Sequence, residues 1–260
     1  MTDLDNLVFP SLKERVVIIT GAGQGIGRVF AHAFAKAGAR AVIAEINEDK
    51  AAHVAADILE AGGEALAVTT DVGDPASIAE MVEIVTGEYG RIDVLINNAA
   101  IFSTLEMRPF EQIPLEEWER VLRINITGAM LCARAVLPAM RRAQWGRIIN
   151  MASGAVSLGR PGYLHYIASK SALIGMSRSM ARELGSDGIT VNAILPGATF
   201  TEIERKTVTP QQKERIIAMQ CIPRAQTPED LVGVALFLAS EASAFVTGQI
   251  VNADGGATHP

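Results

Sequence analysis

Short, almost continuously apolar runs recur along the chain near residues 15–20, 41–45, 65–70, 92–97, 147–152 and 189–195, with a last one near 249–252. Runs of this length predict strands buried on both faces, since a half-exposed strand would alternate apolar and polar side chains. Between them lie longer helix-like stretches, near 24–37, 47–61, 75–89, 115–142, 163–184 and 228–239. Strands and helices alternating without a linker predict an α/β fold: a doubly wound parallel sheet of about seven strands with helices on both faces. Helix starts are marked by Asp74-Pro75 and by Thr227-Pro228-Glu229-Asp230, each a capping residue followed by proline, the second with acids in its first turn. Residues 198–226 show little periodicity beyond a short helical possibility near 210–219. A segment so long between a strand and a helix predicts a mobile lid over a substrate.

The 260 residues, 49% of them hydrophobic, suffice for one sizeable core and predict a single domain over 1–260 with residues 1–10 as a tail. A net charge of −6 argues against a nucleic-acid partner, which calls for a basic face. No apolar run approaches the ~20 residues of a membrane span, and the first ten residues lack the basic cluster of a secretory leader. Cys132 and Cys221 are too few for a disulfide framework, and neither they nor His32, His53, His165 and His259 stand at metal-ligand spacing. These features predict a cytoplasmic protein with no metal.

Two constellations carry chemistry. The run Arg15–Thr20 leads into Gly21-Ala22-Gly23-Gln24-Gly25-Ile26-Gly27 and then a helix-like stretch. Strand, glycine turn and helix in that order form the setting of a dinucleotide-binding (Rossmann-type) fingerprint, with pyrophosphate at the helix N-terminus. A second strand ends at Glu45, where a carboxylate would accept hydrogen bonds from the adenosine ribose and repel a 2′-phosphate. The turn supplies no compensating Arg or Lys before Gln24, so the expected cofactor is NAD. The other constellation is Tyr166-Ile167-Ala168-Ser169-Lys170, thirteen residues after Ser153. Residues four apart share a helix face, and a fixed ammonium lowers the pKa of a phenol from its usual value of about 10. A Tyr–Lys pair at this spacing also arises by chance on exposed helices, and a glycine turn also serves tight packing, so neither is specific alone.

Taken together, Thr20-Gly21-(x)3-Gly25-x-Gly27, Asn97-Asn98-Ala99, Asn125, Ser153, Tyr166-(x)3-Lys170 and Pro196-Gly197 resemble the short-chain dehydrogenase/reductase family, in order and spacing, from about residue 12 to Gly256. The resemblance implies a Ser153-Tyr166-Lys170 centre. Tyr166 would be the acid/base and Lys170 its cationic neighbour, also bonded to the nicotinamide ribose. Ser153 would hold the substrate oxygen, and Asn125 a water leading from Lys170 to solvent. It further implies that Gly21, Gln24, Gly25, Ile26 and Gly27 surround the pyrophosphate, that Glu45 and Ile46 hold the adenosine ribose, and that Asp71 and Val72 bracket the adenine. Asn98, Ala99 and Ala100 would line the path to the second ribose, with Pro196, Gly197, Thr199 and Thr201 against the nicotinamide. Ala100 departs from the glycine usual there.

Substrate contacts are expected from Ser153, Ala155, Tyr163, Phe102 and Phe200, with Ile101, Gly154, Val156, Leu158 and Ile203 beside them. No Arg or Lys is placed by the sequence against a substrate acid. This favours a small, mostly apolar secondary alcohol or ketone, cyclic or aryl among them. A 3-oxoacyl-[acyl-carrier-protein] reductase is the nearest rival, and a non-catalytic NAD-binding protein on the same fold a second one. The resemblance implies a homotetramer.

Overall fold

The computed structural model describes residues 8–203 and 209–259; most of the expected tail, part of the expected lid and the last residue lie outside them. Seven strands form one sheet: β1 (Val16–Thr20), β2 (Arg40–Glu45), β3 (Glu64–Thr69), β4 (Val94–Asn97), β5 (Gly146–Met151), β6 (Ile189–Pro196) and β7 (Ile250–Ala253). Their order is β3-β2-β1-β4-β5-β6-β7 and every pairing is parallel. The order reverses direction between β1 and β4, which creates a crevice at the carboxyl ends of the strands.

Period-two side-chain alternation splits each strand between two cores. Val17, Ile19, Ala41, Ile43, Ile96 and Ile149 face α1 (Gly25–Lys36), α2 (Glu48–Glu60) and α8 (Glu229–Ala239), where Phe30, Phe34, Ile58 and Leu236 meet them. Val16, Ile18, Val42, Leu95, Ile148 and Val191 face the other layer, with Met81 of α3 (Pro75–Tyr89), Val136 and Met140 of α5 (Ala129–Ala143) and Leu184 of α6 (Leu164–Leu184). Asp74 caps α3 as expected, accepting the Ala76 N–H at 2.9 Å. Thr227 does not cap α8 with its hydroxyl; instead Asp230 accepts the Thr227 N–H at 2.9 Å.

The long helix expected over 115–142 is three pieces: α4 (Leu115–Leu122), a π-helical stretch at Arg123–Gly128, and α5. Leu115–Ala143 is the one helix among the described residues long and apolar enough to cross a membrane, with a mean hydropathy of 1.3. Its α5 part lies against the core, where Leu131, Cys132, Val136 and Met140 are buried, whereas Leu115 at its start is exposed. The irregular stretch after β6 contains α7 (Pro210–Ala218), opened by a capping box at Thr209 and Gln212. Its two ends are stitched together by a bridge between Thr199 and Gln226.

Candidate active site

The carboxyl ends of β1 to β6 border one cavity of about 900 Å³. Between β1 and α1, the glycine turn bends through Gly25 at φ +59°. Gly27 has another reason to be glycine. A Cβ there would run into the Gly21 carbonyl and come within 2.6 Å of the Asn98 side chain. Gly27 therefore packs the helix on the turn rather than lining the cavity, against the sequence expectation; Gly21, Gln24, Gly25 and Ile26 do line it. Asn98 splints the turn to β4, donating to the carbonyls of Thr20 at 2.9 Å and Gly21 at 3.0 Å. The Thr20 hydroxyl accepts the N–H groups of Asn98 and Ala99 at 3.0 Å each. Asn98, Ala99 and Ala100 all border the cavity.

No side chain caps α1 through its own N-cap residue. The Gly25 N–H donates instead to the Glu202 carboxylate at 2.9 Å, and Arg28 pairs with the same oxygen at 3.1 Å. Burial opposes the charge on Glu202, but the Gly25 and Glu202 backbone N–H groups with the Arg28 and Lys50 cations outweigh it and hold its pKa below the usual value.

At the far end, the buried Glu45 carboxylate accepts the N–H of Gly23 at 3.1 Å and of Asn47 at 3.2 Å, beside the exposed Ile46. Lys50, on the first turn of α2, donates to Gln24 at 2.6 Å. This cation next to the turn was not visible in the sequence, because only the fold of α2 against the glycine turn brings it there. Asp71 and Val72 border the cavity beyond, with Arg120, Arg123 and Ile124.

At the other end, Tyr166 and Lys170 share one face of α6, both buried. The Lys170 ammonium donates to the Met151 carbonyl at 2.6 Å and lies 5.8 Å from the centre of the Tyr166 ring. Burial pulls the Lys170 pKa down to about 8. Ser153, just past β5, accepts the Ala155 N–H at 3.2 Å and borders the cavity with Tyr166 and Lys170. Asn125 stands behind them, on the π-helical stretch. Its amide accepts the Ile101 N–H at 2.8 Å and donates to Ser169 at 3.0 Å, while Ser169 donates to the Tyr166 carbonyl at 2.7 Å. The Asn125 side chain thus clamps the loop after β4 to α6, and it does not border the cavity. His165 anchors the same turn: its ring accepts the Tyr166 N–H at 3.0 Å and its other nitrogen faces Glu117 at 3.2 Å.

Phe102 stacks on the Tyr166 ring with centroids 4.2 Å apart and borders the cavity beside Ile101, Gly154, Ala155 and Leu158. Tyr163 does not serve as expected. It is 2% exposed and sits behind Phe102, at 5.6 Å between rings, in a cluster with Leu105 and Val121. Val156 and Phe200 are likewise off the cavity wall; Phe200 packs instead under the Lys213 ammonium at 4.8 Å. From the expected lid come Thr201 and Ile203, and one face of α7, where Gln212, Arg215 and Ile216 recur at helical spacing and Met219 follows the helix. Pro196, Gly197 and Thr199 complete the floor. The wall is more polar than the sequence suggested, since Arg160 and Arg215 border it. The Arg160 guanidinium lies over the Tyr163 ring at 5.1 Å.

The parts fit a dinucleotide: a turn whose glycines admit a close approach, a helix N-terminus whose Gly25 N–H faces an anionic group, and a carboxylate at the end of β2. Residues 21–258 match a protein family described as enoyl-(acyl carrier protein) reductase. The chain is 38% identical over 249 residues to a 3-oxoacyl-[acyl-carrier-protein] reductase of Synechocystis sp., covering 95% of this chain and 98% of that protein. It is 42% identical over 256 residues to galactitol 2-dehydrogenase of Agrobacterium fabrum, covering 94% and 98%. A crystal structure of a candidate NAD(P)-dependent gluconate 5-dehydrogenase from Beutenbergia cavernae, with NADP bound at low occupancy, superposes with a TM-score of 0.88 at 37% identity, covering 94% and 97%.

Proposed function

Because the chain belongs to the short-chain dehydrogenase/reductase family of oxidoreductases, we propose that it moves a hydride between NAD(H) and a small secondary alcohol or ketone. Tyr166, Lys170 and Ser153 would be its catalytic residues. The observation that carries this reading is the Tyr166 ring beside the buried Lys170 ammonium, both opening on the cavity that begins at the glycine turn. When bound, the nicotinamide supplies the carbon that accepts or gives the hydride.

The chain's own residues handle the proton. Ser153 fixes the substrate oxygen. Tyr166 takes the alcohol proton during oxidation and returns it during reduction, work that typically contributes about 10²–10⁴-fold in rate. The Lys170 cation favours the phenolate. Gly21, Gln24, Gly25 and Ile26 would hold the pyrophosphate and Glu45 and Ile46 the adenosine ribose. Asp71 and Val72 would flank the adenine, and Asn98, Ala99, Ala100, Pro196, Gly197, Thr199 and Thr201 the nicotinamide half. We read the dinucleotide as NAD because a 2′-phosphate would meet the Glu45 carboxylate, although Lys50 pulls the other way.

Phe102, Leu158 and Ile203 offer the substrate an apolar side, as a cyclic or aryl alcohol would need. Arg160, Arg215 and Gln212 add polar partners that favour a substrate carrying further hydroxyl groups, and the similarity to a galactitol dehydrogenase supports that. Similarity to the Synechocystis enzyme favours a second reading, reduction of a 3-oxoacyl thioester with NADPH. Rates with NADH and NADPH on an acetoacetyl thioester, against rates with NAD on a panel of polyols and aryl or cyclic alcohols, separate the two. Turnover confined to the thioester with NADPH would overturn the first reading. A homotetramer is part of the proposal, supported by exposed apolar side chains at Leu115, Leu164 and Phe245. So is a reducing cytoplasmic setting, supported by Cys132 and Cys221 both standing free.

A further inference from the structure

Glu202 lies on the stretch that follows β6 and reaches across to the start of α1. One oxygen of its carboxylate accepts the Gly25 N–H and pairs with Arg28. Its neighbours Thr201 and Ile203 lie over the same turn: a Cβ placed on Gly25 would meet the Ile203 side chain at 3.0 Å. A helix N-terminus with a free N–H and a nearby guanidinium is the part of such a turn that attracts an anion. In this molecule the anion is supplied by the chain itself.

We propose that Glu202 is a resident competitor for the pyrophosphate seat, and so a residue that sets dinucleotide affinity. The inference rests on reading the cavity as a dinucleotide site. A pyrophosphate approaching the Gly25 N–H must displace the carboxylate from that donor and from Arg28. Giving up those bonds is charged against binding, because only the difference between the two anions appears in the affinity. The stretch that carries Glu202 also carries Thr201 and Ile203 on the cavity wall. Entry of the dinucleotide and the position of this stretch are therefore linked through one side chain.

The test is a titration of the full-length protein with NADH, and with adenosine as a ligand lacking phosphate, comparing wild type, Glu202→Gln and Glu202→Ala. Glu202→Ala frees both the N–H and Arg28 and should bind NADH about tenfold more tightly, in line with an anion held at a partly buried helix N-terminus. Glu202→Gln keeps an acceptor for the N–H but drops the charge, and should gain less. Adenosine binding should be the same in all three. Weaker or unchanged NADH binding in Glu202→Ala overturns the proposal. Equal gains in the two variants also overturn it, since they assign the effect to charge at a distance and not to occupancy of the N–H. Should wild type and variants all fail to bind NADH and NADPH, the dinucleotide reading falls and this inference with it. Wild-type binding with indifferent variants removes the inference alone.

Discussion

Lys170 is the residue whose physics is most constrained. It is 3% exposed, its ammonium is held by one carbonyl, and burial places its pKa at about 8. In the proposed reaction the phenolate that takes the alcohol proton is favoured by the Lys170 ammonium, which is charged below about 8. Oxidation should therefore slow as pH rises through about 8 and that charge is lost. Lys170→Arg, which carries a charge that does not titrate in this range, should remove that inflection from the pH profile of kcat/KM. An unchanged inflection would place the titrating group elsewhere.

Beside the glycine turn the Glu45 carboxylate and the Lys50 ammonium carry opposite charges, which the proposal sets against each other at the ribose. Glu45→Ala should relax discrimination against NADP, and Lys50→Ala should sharpen it, read as the ratio of kcat/KM for the two dinucleotides. No change in either variant would remove both residues from cofactor selection. Glu45 was legible in the sequence because its place follows from strand length alone. Lys50, Glu202 and Arg160 were not, because each reaches the site through the packing of α2, the stretch after β6 or the turn before α6.

Among the elements, the strands lie within two residues of where the apolar runs place them, since a strand buried on both faces leaves an uninterrupted signature. The π-helical stretch at Arg123–Gly128 leaves none: it adds one residue to a turn inside an otherwise helical pattern. Yet this widened turn carries Asn125, which ties the loop at Ile101 to Ser169 on α6. Tyr163 misled for a related reason. The sequence places an aromatic three residues before Tyr166, but the last residue before α6 turns its ring into the core. Gly27 shows how two element-scale effects compare. Alanine favours a helix over glycine by about 1 kcal/mol, whereas forcing a methyl into a packed contact costs roughly 1–3 kcal/mol. With the Gly21 carbonyl in the way, Gly27→Ala should lower the urea midpoint and loosen NADH binding. A variant as stable as wild type would show that the turn can yield.

On the scale of the whole molecule, one cavity joins residues from the glycine turn to the Ala257–Thr258 segment, and no single element contains the site. The parallel sheet gathers strand ends from across the chain at one edge, and α6 brings Tyr166 and Lys170 to them. The proposed binding and chemistry are thereby separable: the turn, Glu45 and Asp71 lie at one end, Ser153, Tyr166 and Lys170 at the other. The most direct measurement is turnover of Tyr166→Phe alongside its NADH titration. The expected result is a loss of turnover of at least about a hundredfold, the lower range for a positioned acid/base, with NADH affinity within a few-fold of wild type. Turnover close to wild type in a variant that still binds NADH would contradict the acid/base role of Tyr166 and the account built on it.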